Sequence, residues 1–592
     1  MTRYFEVIGR DGPARRGRLR LERTINTPAL ISKDRIVSAG SLWGFGSVEE
    51  ALEAADGHID KDKLFIPPHV SVPLHVEPPV DLPQIETDGP SGLVVHPFFL
   101  DEPYPADVYI MGAAGLLRNP RELLKAVLRV KDKTPPDSAL YAPALATPAN
   151  LALLVYLGVD LVDSTRVVVD GYLGRYHTHD GTWNIEDLRE LPCRCQHCRA
   201  LEEEYRPDQN LGPNPNPYPD RRMISDHNHL KLEEEIRLVR EMIRRGCLRE
   251  YVEKSVRVTP EETATLRLLD QEGRYLERRT PVFRKNVMYS NTAESLHRVE
   301  VTRYARRVLD RYRAPESEVL LLLPCSARKP YSKSRSHRLF AGALGSWRRR
   351  IHEVILTSPL AVVPRELEEV YPAAHYDVPV TGRWDLEERD WLLRCLDAYL
   401  ERSSYKKIIV HLDGELREAV EEHGVDAVYT GGGTNGEALS RLTAAVKKAA
   451  IDASVLDHKR LRVRAVTDYF FGSRSGDLLL AGEVRIKGRE VQNGDKKTLA
   501  TLTPNGTIAL AIEGARRLEP MGAHLVDIGE FLPKGDVLSP GVINADEEIR
   551  PGDDVIVRGE MAFGVGRARM SGWEMVRSTR GVAVELRKVE EV

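Results

Sequence analysis

Cysteine is scarce in this chain of 592 residues, and long apolar runs are missing. Six cysteines are too few for the disulfide framework of a secreted protein. No uninterrupted apolar run reaches membrane-spanning length, and the first residues lack the apolar segment of a signal peptide. These absences favour a soluble protein of the cytoplasm.

A strong charge of either sign is also lacking, because the formal net charge at pH 7 is only −4. The net charge of the whole chain therefore neither favours nor excludes nucleic-acid binding, and any argument for such binding must rest on local basic clusters. Three such clusters occur, at 15–23, 298–313 and 328–350. The simplest interpretation of each, taken alone, is a solvated helix face or loop.

The pattern of elements divides the chain into several predicted parts. Strand-like and helix-like segments alternate in the first part, which indicates a parallel sheet, either open or closed into a barrel. A second α/β pattern runs to about residue 455. Beyond Arg460 helical patterns fade and short β-like runs with glycine turns follow, which predicts two small domains, 456–517 and 518–592.

The most informative segment is an apolar run, 320–324, that leads into a polar loop. The run predicts a buried strand, and ligands gather where strands of open α/β sheets end. No acidic residue occurs from Val319 to His352, whereas lysine and arginine are frequent there. Positive neighbours lower a thiol pKa, so we predict a nucleophilic cysteine and a polyanionic substrate. The loop residues that could carry chemistry are Cys325, Lys329, Tyr331, Ser334 and His337.

A second constellation suits a metal ion. Three of the cysteines lie within six residues, and a histidine follows later, so the candidate ligands are Cys193, Cys195, Cys198 and His227. Three thiolates and one imidazole suit tetrahedral zinc. Because protein would fill all four positions, we expect a structural site rather than a catalytic one. We also predict a proline-rich loop over 206–222 and a helix over 230–245 that His227 opens.

Two alternatives to this ligand set stay open. His197 or His229 could replace His227 as the fourth ligand. Without a metal, the residues would be three reduced surface cysteines and an unrelated helix-capping histidine.

These motifs resemble two related families that act on tRNA. The cysteine–histidine spacing and the segment 158–164, which contains Asp163, resemble tRNA-guanine transglycosylases, in which the matching aspartate is the nucleophile. Their Asp-Ser-Gly-Gly base-binding motif has its nearest counterpart at 87–92, where Pro90 interrupts it. The pattern Pro-Cys-x3-Lys-Pro-Tyr-x2-Ser-x2-His over 324–337 resembles the archaeosine synthases, archaeal paralogues of those enzymes.

The resemblance to archaeosine synthases covers nearly the whole chain and implies a multidomain α/β fold. The N-terminal domain would be a TIM-barrel-like (β/α) domain with the zinc site. A second α/β domain, a small α+β domain of the C2 type and a β-rich PUA domain that binds RNA would follow. The implied boundaries are 1–255, 256–455, 456–517 and 518–592.

The same resemblance implies an activity and its partners. Such an enzyme acts on archaeal tRNA whose D-arm guanine at position 15 has become 7-cyano-7-deazaguanine. It adds an amine to the nitrile on the way to archaeosine. The donor is free lysine in some lineages, with glutamine or ammonia as alternatives, and a radical-SAM partner then cleaves the lysine adduct. A homodimer paired through the zinc region is also implied.

The residues suggest how a nitrile could be activated. An amine attacks a nitrile slowly in water, whereas the Cys325 thiolate could form a thioimidate that the amine then displaces. Lys329 or His337 would carry the proton, and Tyr331 and Ser334 would orient the substrate. The remaining candidates for substrate binding are Asp163, His375 and Asp377.

Each of these roles has an alternative. Cys325 could be a small buried apolar residue, and Lys329 could bind a tRNA phosphate. Because the base-binding motif of the transglycosylases is interrupted in this chain, we favour a vestigial role of Asp163. Two other functions stay open for the chain: a transglycosylase that exchanges the base, and a non-catalytic subunit that presents tRNA to a partner.

Overall fold

The structure is a computed structural model that describes residues 3–56, 60–80, 84–85, 87–204, 220–380 and 382–592. Most of the predicted loop over 206–222 lies outside these ranges. The chain forms two compact units, one comprising Met1–Leu276 with Arg577–Gly581 and the other Glu277–Val576 with Val582–Val592. Within the described ranges, no helix is long and apolar enough to cross a membrane.

The first unit combines short strands with helices. Its strands are β1 Phe5–Asp11, β2 Ala14–Leu19, β3 Ile25–Thr27, β4 Ala29–Leu30, β5 Ile36–Ser38, β6 Leu64–Ile66, β7 Gly92–Val95, β8 Val108–Met111, β9 Ala139–Ala142, β10 Leu161–Val162, β11 Arg175–Thr178 and β12 Gly181–Asn184. Its helices are α1 Val48–Asp56, α2 Pro120–Lys133, α3 Leu151–Leu157, α4 Thr165–Tyr172, α5 Gln196–Glu204, α6 Arg221–Arg245, α7 Leu248–Ser255 and α8 Pro260–Leu269, and α9 Gly273–Arg279 follows.

Parallel strands form the core of this unit. One sheet has the order β4-β10-β9-β8-β7, and all its neighbours are parallel. A parallel bridge joins Phe65 of β6 to Ser91, and β6 pairs in parallel with β5. The strands are apolar and short, as expected where helices cover a parallel sheet. Within this sheet, β4 is the first strand in the chain and β10 is the last, and these two strands pair with each other.

Helix α6 begins earlier than predicted. The Asp220 side chain caps it by accepting hydrogen bonds from the backbone N–H groups of Arg222 and Met223. His227 therefore lies in the second turn, and the prediction that it opens the helix is wrong. The apolar periodicity used for that prediction starts at Leu232, whereas burial starts at Ile224 and continues through polar residues that give no apolar signal.

The second unit also combines strands and helices. Its strands are β13 Met288–Tyr289, β14 Val319–Pro324, β15 His352–Thr357, β16 Ala361–Pro364, β17 Tyr376–Asp377, β18 Lys407–Val410, β19 Val428–Tyr429, β20 Val484–Lys487, β21 Glu490–Asn493, β22 Thr498–Leu502, β23 Ile508–Leu510, β24 Leu525–Ile528, β25 Val537–Leu538, β26 Val542–Ala545, β27 Asp554–Arg558, β28 Ala562–Ala568 and β29 Val582–Glu591. Its helices are α10 Val299–Asp310, α11 Arg335–Leu344, α12 Leu386–Glu401, α13 Gly414–Glu422, α14 Gly436–Ala449, α15 His458–Phe471, α16 Ser475–Leu479, α17 Ile512–Leu518 and α18 Gly572–Arg577.

The predicted strand before Pro324 is the centre of a sheet with the order β16-β15-β14-β18-β19. Strand β14 is parallel to both of its neighbours, and β16 is antiparallel at the edge. Leu321 and Leu323 pack on one face, and Leu320 and Leu322 pack on the other. Burial on both faces explains why the sequence is a continuous apolar run rather than an alternating one.

The C-terminal part is rich in strands, as predicted. Strands β20 to β23 form an antiparallel sheet, and β24 to β29 form a mixed sheet of order β25-β29-β28-β27-β24-β26. Helices nevertheless continue beyond Arg460, where the prediction of fading helical patterns is wrong. Most of α15 from Val463 to Phe471 is buried, so this helix lacks the polar face on which the periodic signal depends.

Helix α10 is basic, but its arginines do not form a solvated face. Arg303 is 4% exposed and donates from Nε to Glu277 Oε2 at 2.7 Å. Arg306 donates to Oε1 at 2.6 Å, and Arg550 Nε lies 3.3 Å from Oε2. Burial raises the pKa of Glu277, but the charges of these arginines outweigh it and lower the pKa to about 2. The solvated-face interpretation of 298–313 is therefore wrong.

Glu277→Gln should destabilise the second unit by about 3–5 kcal/mol, because it leaves buried guanidinium groups without their carboxylate. An unfolded glutamate has a pKa near 4.5, so this stabilisation is complete above that pH and is lost as the pH falls through about 2. Calorimetry should show a large difference in melting temperature from the wild type at pH 7 and a smaller one at pH 3.5. Glu241→Gln, which removes an exposed carboxylate from Arg244 and Arg245, is the matched control. Equal effects of both substitutions would contradict the prediction.

Candidate functional site

Cys325 directly follows β14, at the carboxyl edge of the central sheet. Strand β15 ends at Thr357, and Asp413 stands where β18 leads into α13. Since the three strands are parallel, these residues reach the same edge. Strands β15 and β18 lie on opposite sides of β14. The chain therefore passes from β14 to β15 on one side and later reaches β18 on the other side. Open α/β sheets bind their ligands at such a position.

A cavity of about 870 Å³ opens at this edge. Cys325 is half-buried and lines the cavity beside Pro324 and Ser358. The thiol is therefore on a cleft and not enclosed in the core. Carboxylates dominate the charge of the cavity wall, which includes Asp385, Glu388, Asp413 and Glu415.

A series of hydroxyl groups leads to the thiol. Thr357 adjoins Cys325, and its hydroxyl donates to the carbonyl oxygen of Ser358 at 3.1 Å. Its Oγ1 lies 2.5 Å from Tyr376 Oη, which lies 2.7 Å from Tyr331 Oη. Sequence reasoning found Tyr331 but missed Thr357 and Tyr376. Thr357 ends an apolar strand, and Tyr376 comes from a two-residue strand, so neither carries a local signal.

Lys329 lies beside the same group. Its Nζ is 4.1 Å from the centroid of the Tyr376 ring and 3.9 Å from Asp377 Oδ1. Burial lowers the pKa of Lys329, and the charges of Asp377 and Cys325 oppose this effect. Burial likewise raises the pKa of Cys325, and the hydrogen bond from Thr357 and the charge of Lys329 offset it only in part. The structure thus pairs a neutral thiol with a lysine of reduced basicity.

The basic loop does not lower the pKa of the thiol as expected. Its other cationic side chains are exposed to solvent at Arg328, Lys333, Arg335 and Arg338. Water screens these charges, so burial decides the protonation state of Cys325. The expectation of a general lowering by neighbouring cations is wrong for the free protein.

His337 and Ser334 support the loop. His337 Nε2 lies 3.0 Å from the carbonyl oxygen of Pro324, and Nδ1 lies 2.8 Å from Arg365 Nη2. Burial lowers the pKa of His337 to about 3, so the imidazole is neutral, donates from Nε2 and accepts at Nδ1. The Ser334 side chain caps α11 by accepting from the backbone N–H of His337. Both ring nitrogens of His337 are therefore occupied.

The other predicted residues of this unit, Asp377 and His375, are not among the described residues that line the cavity. Asp377 is 55% exposed, adjoins Lys329 and precedes Val378 on the cavity wall. His375 packs edge-on against Phe283, with a centroid distance of 5.4 Å. Burial lowers the pKa of His375, and its Nδ1 has no hydrogen-bond partner within the described part of the chain.

In the first unit, the four predicted metal ligands come together. One ligand atom from each of Cys193, Cys195, Cys198 and His227 lies within 4.8 Å of the others. His227 Nδ1 is 3.3 Å from the Cys198 sulfur and 3.6 Å from the Cys195 sulfur. Three sulfurs and one imidazole nitrogen at this spacing could hold a metal ion. His197 and His229 lie outside this group and contact Gln196 and Glu233 instead.

Neighbouring groups orient these ligands. His227 Nε2 donates to the carbonyl oxygen of His177 at 2.9 Å, which leaves the Nδ1 lone pair directed at the sulfurs. Burial lowers the pKa of His227 to about 4, so the imidazole is neutral as ligation requires. Its ring stacks on Tyr176 at 4.0 Å, and the Tyr176 hydroxyl lies 3.2 Å from the Cys198 sulfur.

Asp163 lies at the carboxyl end of β10. Its carboxylate accepts hydrogen bonds from the Tyr141 hydroxyl at 2.6 Å and from the backbone N–H groups of Thr165 at 2.8 Å and Ala144 at 3.2 Å. Ser91, in the broken base-binding motif, bonds to Asp107 at 3.1 Å. Both side chains are thus engaged in contacts within the fold.

Comparison with protein families assigns four segments of the chain. Residues 101–261 match the model for queuine tRNA-ribosyltransferase, and residues 461–523 match the patch-forming domain C2 of tRNA-guanine transglycosylase. Residues 528–589 match the PUA domain, and residues 301–446 match a domain of unknown function, DUF5591. The last match contains Cys325 and its loop. The chain is therefore built from transglycosylase-type modules joined to a separate α/β module.

Relatives that match over the full length of the chain identify its family more specifically than these segment matches do. A protein of Methanosarcina acetivorans named archaeosine synthase subunit alpha is 42% identical over 100% of both chains. The archaeosine synthase of Haloferax volcanii is 39% identical over 100% of both chains. A tRNA-guanine(15) transglycosylase of Methanothermobacter thermautotrophicus is 29% identical over 82% of this chain and 71% of its own. The chain belongs to the archaeosine synthase family, which confirms the resemblance seen in the sequence.

Cys195→Ala should abolish metal binding, because it removes a central sulfur from the cluster. We expect one ion per chain in the purified wild type by plasma mass spectrometry and none in the variant. Limited proteolysis should also become faster around 193–245, because metal binding and local folding are coupled. His197→Ala and His229→Ala are controls that should keep the ion. Full metal content in Cys195→Ala, or a wild type without metal, would refute the prediction.

Proposed function

We propose that this protein modifies tRNA in archaeosine biosynthesis by adding an amine to the nitrile of 7-cyano-7-deazaguanine at position 15. Membership of the archaeosine synthase family and the PUA module support this activity. The observation that carries the proposal is the position of Cys325 on a cavity at the carboxyl edge of the central sheet. A non-catalytic tRNA-binding subunit would not need a thiol at that position.

In the first step, Cys325 is the nucleophile and Lys329 carries the proton. Neutral Lys329 takes the thiol proton, and the sulfur attacks the nitrile carbon to form a C–S bond. The resulting ammonium group then gives the proton to the nitrile nitrogen, so the product is a neutral thioimidate. Burial lowers the pKa of Lys329, which makes its ammonium group a better proton donor to the nitrile nitrogen.

In the second step, the amine attacks the thioimidate carbon and the C–S bond breaks. The sulfur leaves as thiolate and regains a proton from the amine, which leaves an amidine on the base. Asp413 supports this step, because it stands at the N-cap of α13 without a capping hydrogen bond and lines the cavity. The carboxylate wall favours a cationic donor, for which lysine is the first candidate and glutamine or ammonia the alternatives.

Other loop residues have supporting roles in the proposal. Tyr331 orients the site through its hydroxyl, and Ser334 and His337 position the loop. The exposed cations at Arg328, Lys333, Arg335 and Arg338 suit contacts with tRNA phosphates. Asp377 would hold Lys329 in place, and His375 would border the base.

Several structural features belong to the same proposal. The return of β10 to β4 supports a closed TIM-barrel-like domain over 1–255. The ligand set supports zinc with a structural role. The domains 256–455, 456–517 and 518–592 would follow.

The name of the Methanosarcina relative as a subunit supports a partner protein, for which a radical-SAM enzyme is the candidate. The proposed homodimer and the D-arm as the tRNA contact derive from the resemblance.

Incubation of cyano-modified tRNA with the full chain and single amines tests this function. Nucleoside mass spectrometry should detect an adduct with lysine or another amine for the wild type. Cys325→Ser should lower its rate by at least about 10³-fold, because the weaker nucleophile cannot form the thioimidate. Cys395→Ser, which changes a buried cysteine of α12, is the control. Full turnover by Cys325→Ser would exclude covalent catalysis, and no adduct with any amine would favour the tRNA-binding subunit.

The transglycosylase alternative predicts base exchange, so radiolabelled guanine and unmodified tRNA distinguish it. We expect no incorporation of label by the wild type, because the base-binding motif is interrupted and the carboxylate of Asp163 is occupied by hydrogen bonds. A bona fide transglycosylase is the positive control. Incorporation that disappears in Asp163→Asn would show that this chain exchanges the base.

A further inference from the structure

The hydroxyls beside Cys325 form a series in a buried place, and its last member, Thr357, also donates to the carbonyl oxygen of Ser358 at 3.1 Å. Tyr331 is 0% exposed, Tyr376 is 3% exposed, and Thr357 is 1% exposed. The two links between the hydroxyl oxygens measure 2.7 Å and 2.5 Å. Each hydroxyl has one proton to donate, so the series can be oriented in either direction. A thiol can donate or accept, whereas a thiolate can only accept.

We propose that Tyr331, Tyr376 and Thr357 form a chain of hydrogen-bond donors that ends on the Cys325 sulfur and stabilises its thiolate. In this state Tyr331 donates to Tyr376, Tyr376 donates to Thr357, and Thr357 turns its proton from the Ser358 carbonyl to the sulfur. The hydroxyl protons stay on their oxygens, and the thiol proton goes to Lys329. The role in catalysis rests on the proposed function, but the effect on the thiol itself does not.

The charges around the sulfur show why such donors are needed. Asp413 opposes the thiolate. The cavity wall also carries the charged groups of Asp385, Glu388 and Glu415, together with Arg383. The charge of Lys329 favours the thiolate, but it offsets the effect of burial only in part. Neutral donors in a buried site stabilise an anion without adding a second charge, and hydroxyls in series polarise one another.

The two tyrosines are suited to this task because they keep their protons. Burial raises the pKa of both Tyr331 and Tyr376 well above the ordinary value. Each therefore remains a donor over the pH range in which the thiol titrates. Thr357 is the catalytic member, since it contacts the reacting sulfur, and the tyrosines are positioning residues.

Alkylation of Cys325 in the full chain measures this effect without tRNA. The rate of modification by iodoacetamide would be followed from pH 7 to pH 10 by mass spectrometry of the peptide that contains Cys325. For Thr357→Val we expect the midpoint to move up by about one pH unit, with a rate at pH 8 lowered ~10-fold, because one unit changes the thiolate fraction tenfold. Tyr376→Phe should give a smaller upward shift and Tyr331→Phe the smallest.

Conservative and remote variants separate this role from a loss of structure. Thr357→Ser keeps the hydroxyl and should restore the wild-type profile. Thr467→Val and Tyr399→Phe remove buried hydroxyls that bond elsewhere, to Val463 and Tyr405, and should not move the midpoint. If Thr357→Val does not fold, the graded shifts of the two tyrosine variants decide the question.

The alkylation experiment can contradict the donor chain whether or not the proposed function is correct. Profiles of the folded Thr357→Val or Tyr376→Phe variants that coincide with the wild type would overturn the donor chain, even if Cys325→Ser were inactive. Upward shifts in the expected order would support it, even if no amine were added to any tRNA.

Discussion

The parallel pairing of β14 with both β15 and β18 is the constraint on which the candidate site depends. Pro324 pairs with Leu356, and Leu322 pairs with Val410. When these registers are extended by the few residues to the sheet edge, Cys325 is level with Thr357 on one side and Asp413 on the other. A shift of one residue in either pairing would turn the opposing side chain to the other face of the sheet. Cys325, Thr357 and Asp413 are thus positioned by backbone pairing.

Burial and charge compete in this site, and burial is the stronger. Exposed cations close in sequence have little effect on the thiol, whereas the loss of water around it raises its pKa. The same loss of water lowers the pKa of Lys329. Both shifts disfavour the ion pair of thiolate and ammonium relative to the neutral pair. A thiol that keeps its proton is also oxidised more slowly than a thiolate.

Local signals explain which parts of the structure could be predicted. The run 320–324 is apolar at every position because helices cover both faces of the sheet, so the strand and the cysteine after it were evident. The metal ligands were evident because cysteine is rare elsewhere. Thr357 and Tyr376 gave no signal, since each is an ordinary residue of a strand and their meeting depends on tertiary packing. The buried arginines of α10 looked like a solvated face because their partner, Glu277, lies outside that helix.

The motif residues of the loop after β14 make contacts that the sequence did not predict. Tyr331 extends inward to Tyr376, Ser334 caps α11, and His337 holds the carbonyl of Pro324. Each contact fixes a different point of the turn between β14 and α11, with Cys325 at its start. A cysteine at a strand end would otherwise be free to rotate with its loop, and a nucleophile must be held close to the reacting carbon. In the proposed mechanism only Cys325 and Lys329 take part in bond making and proton transfer, and the length and mixed composition of the motif follow from the need to hold one sulfur atom in place.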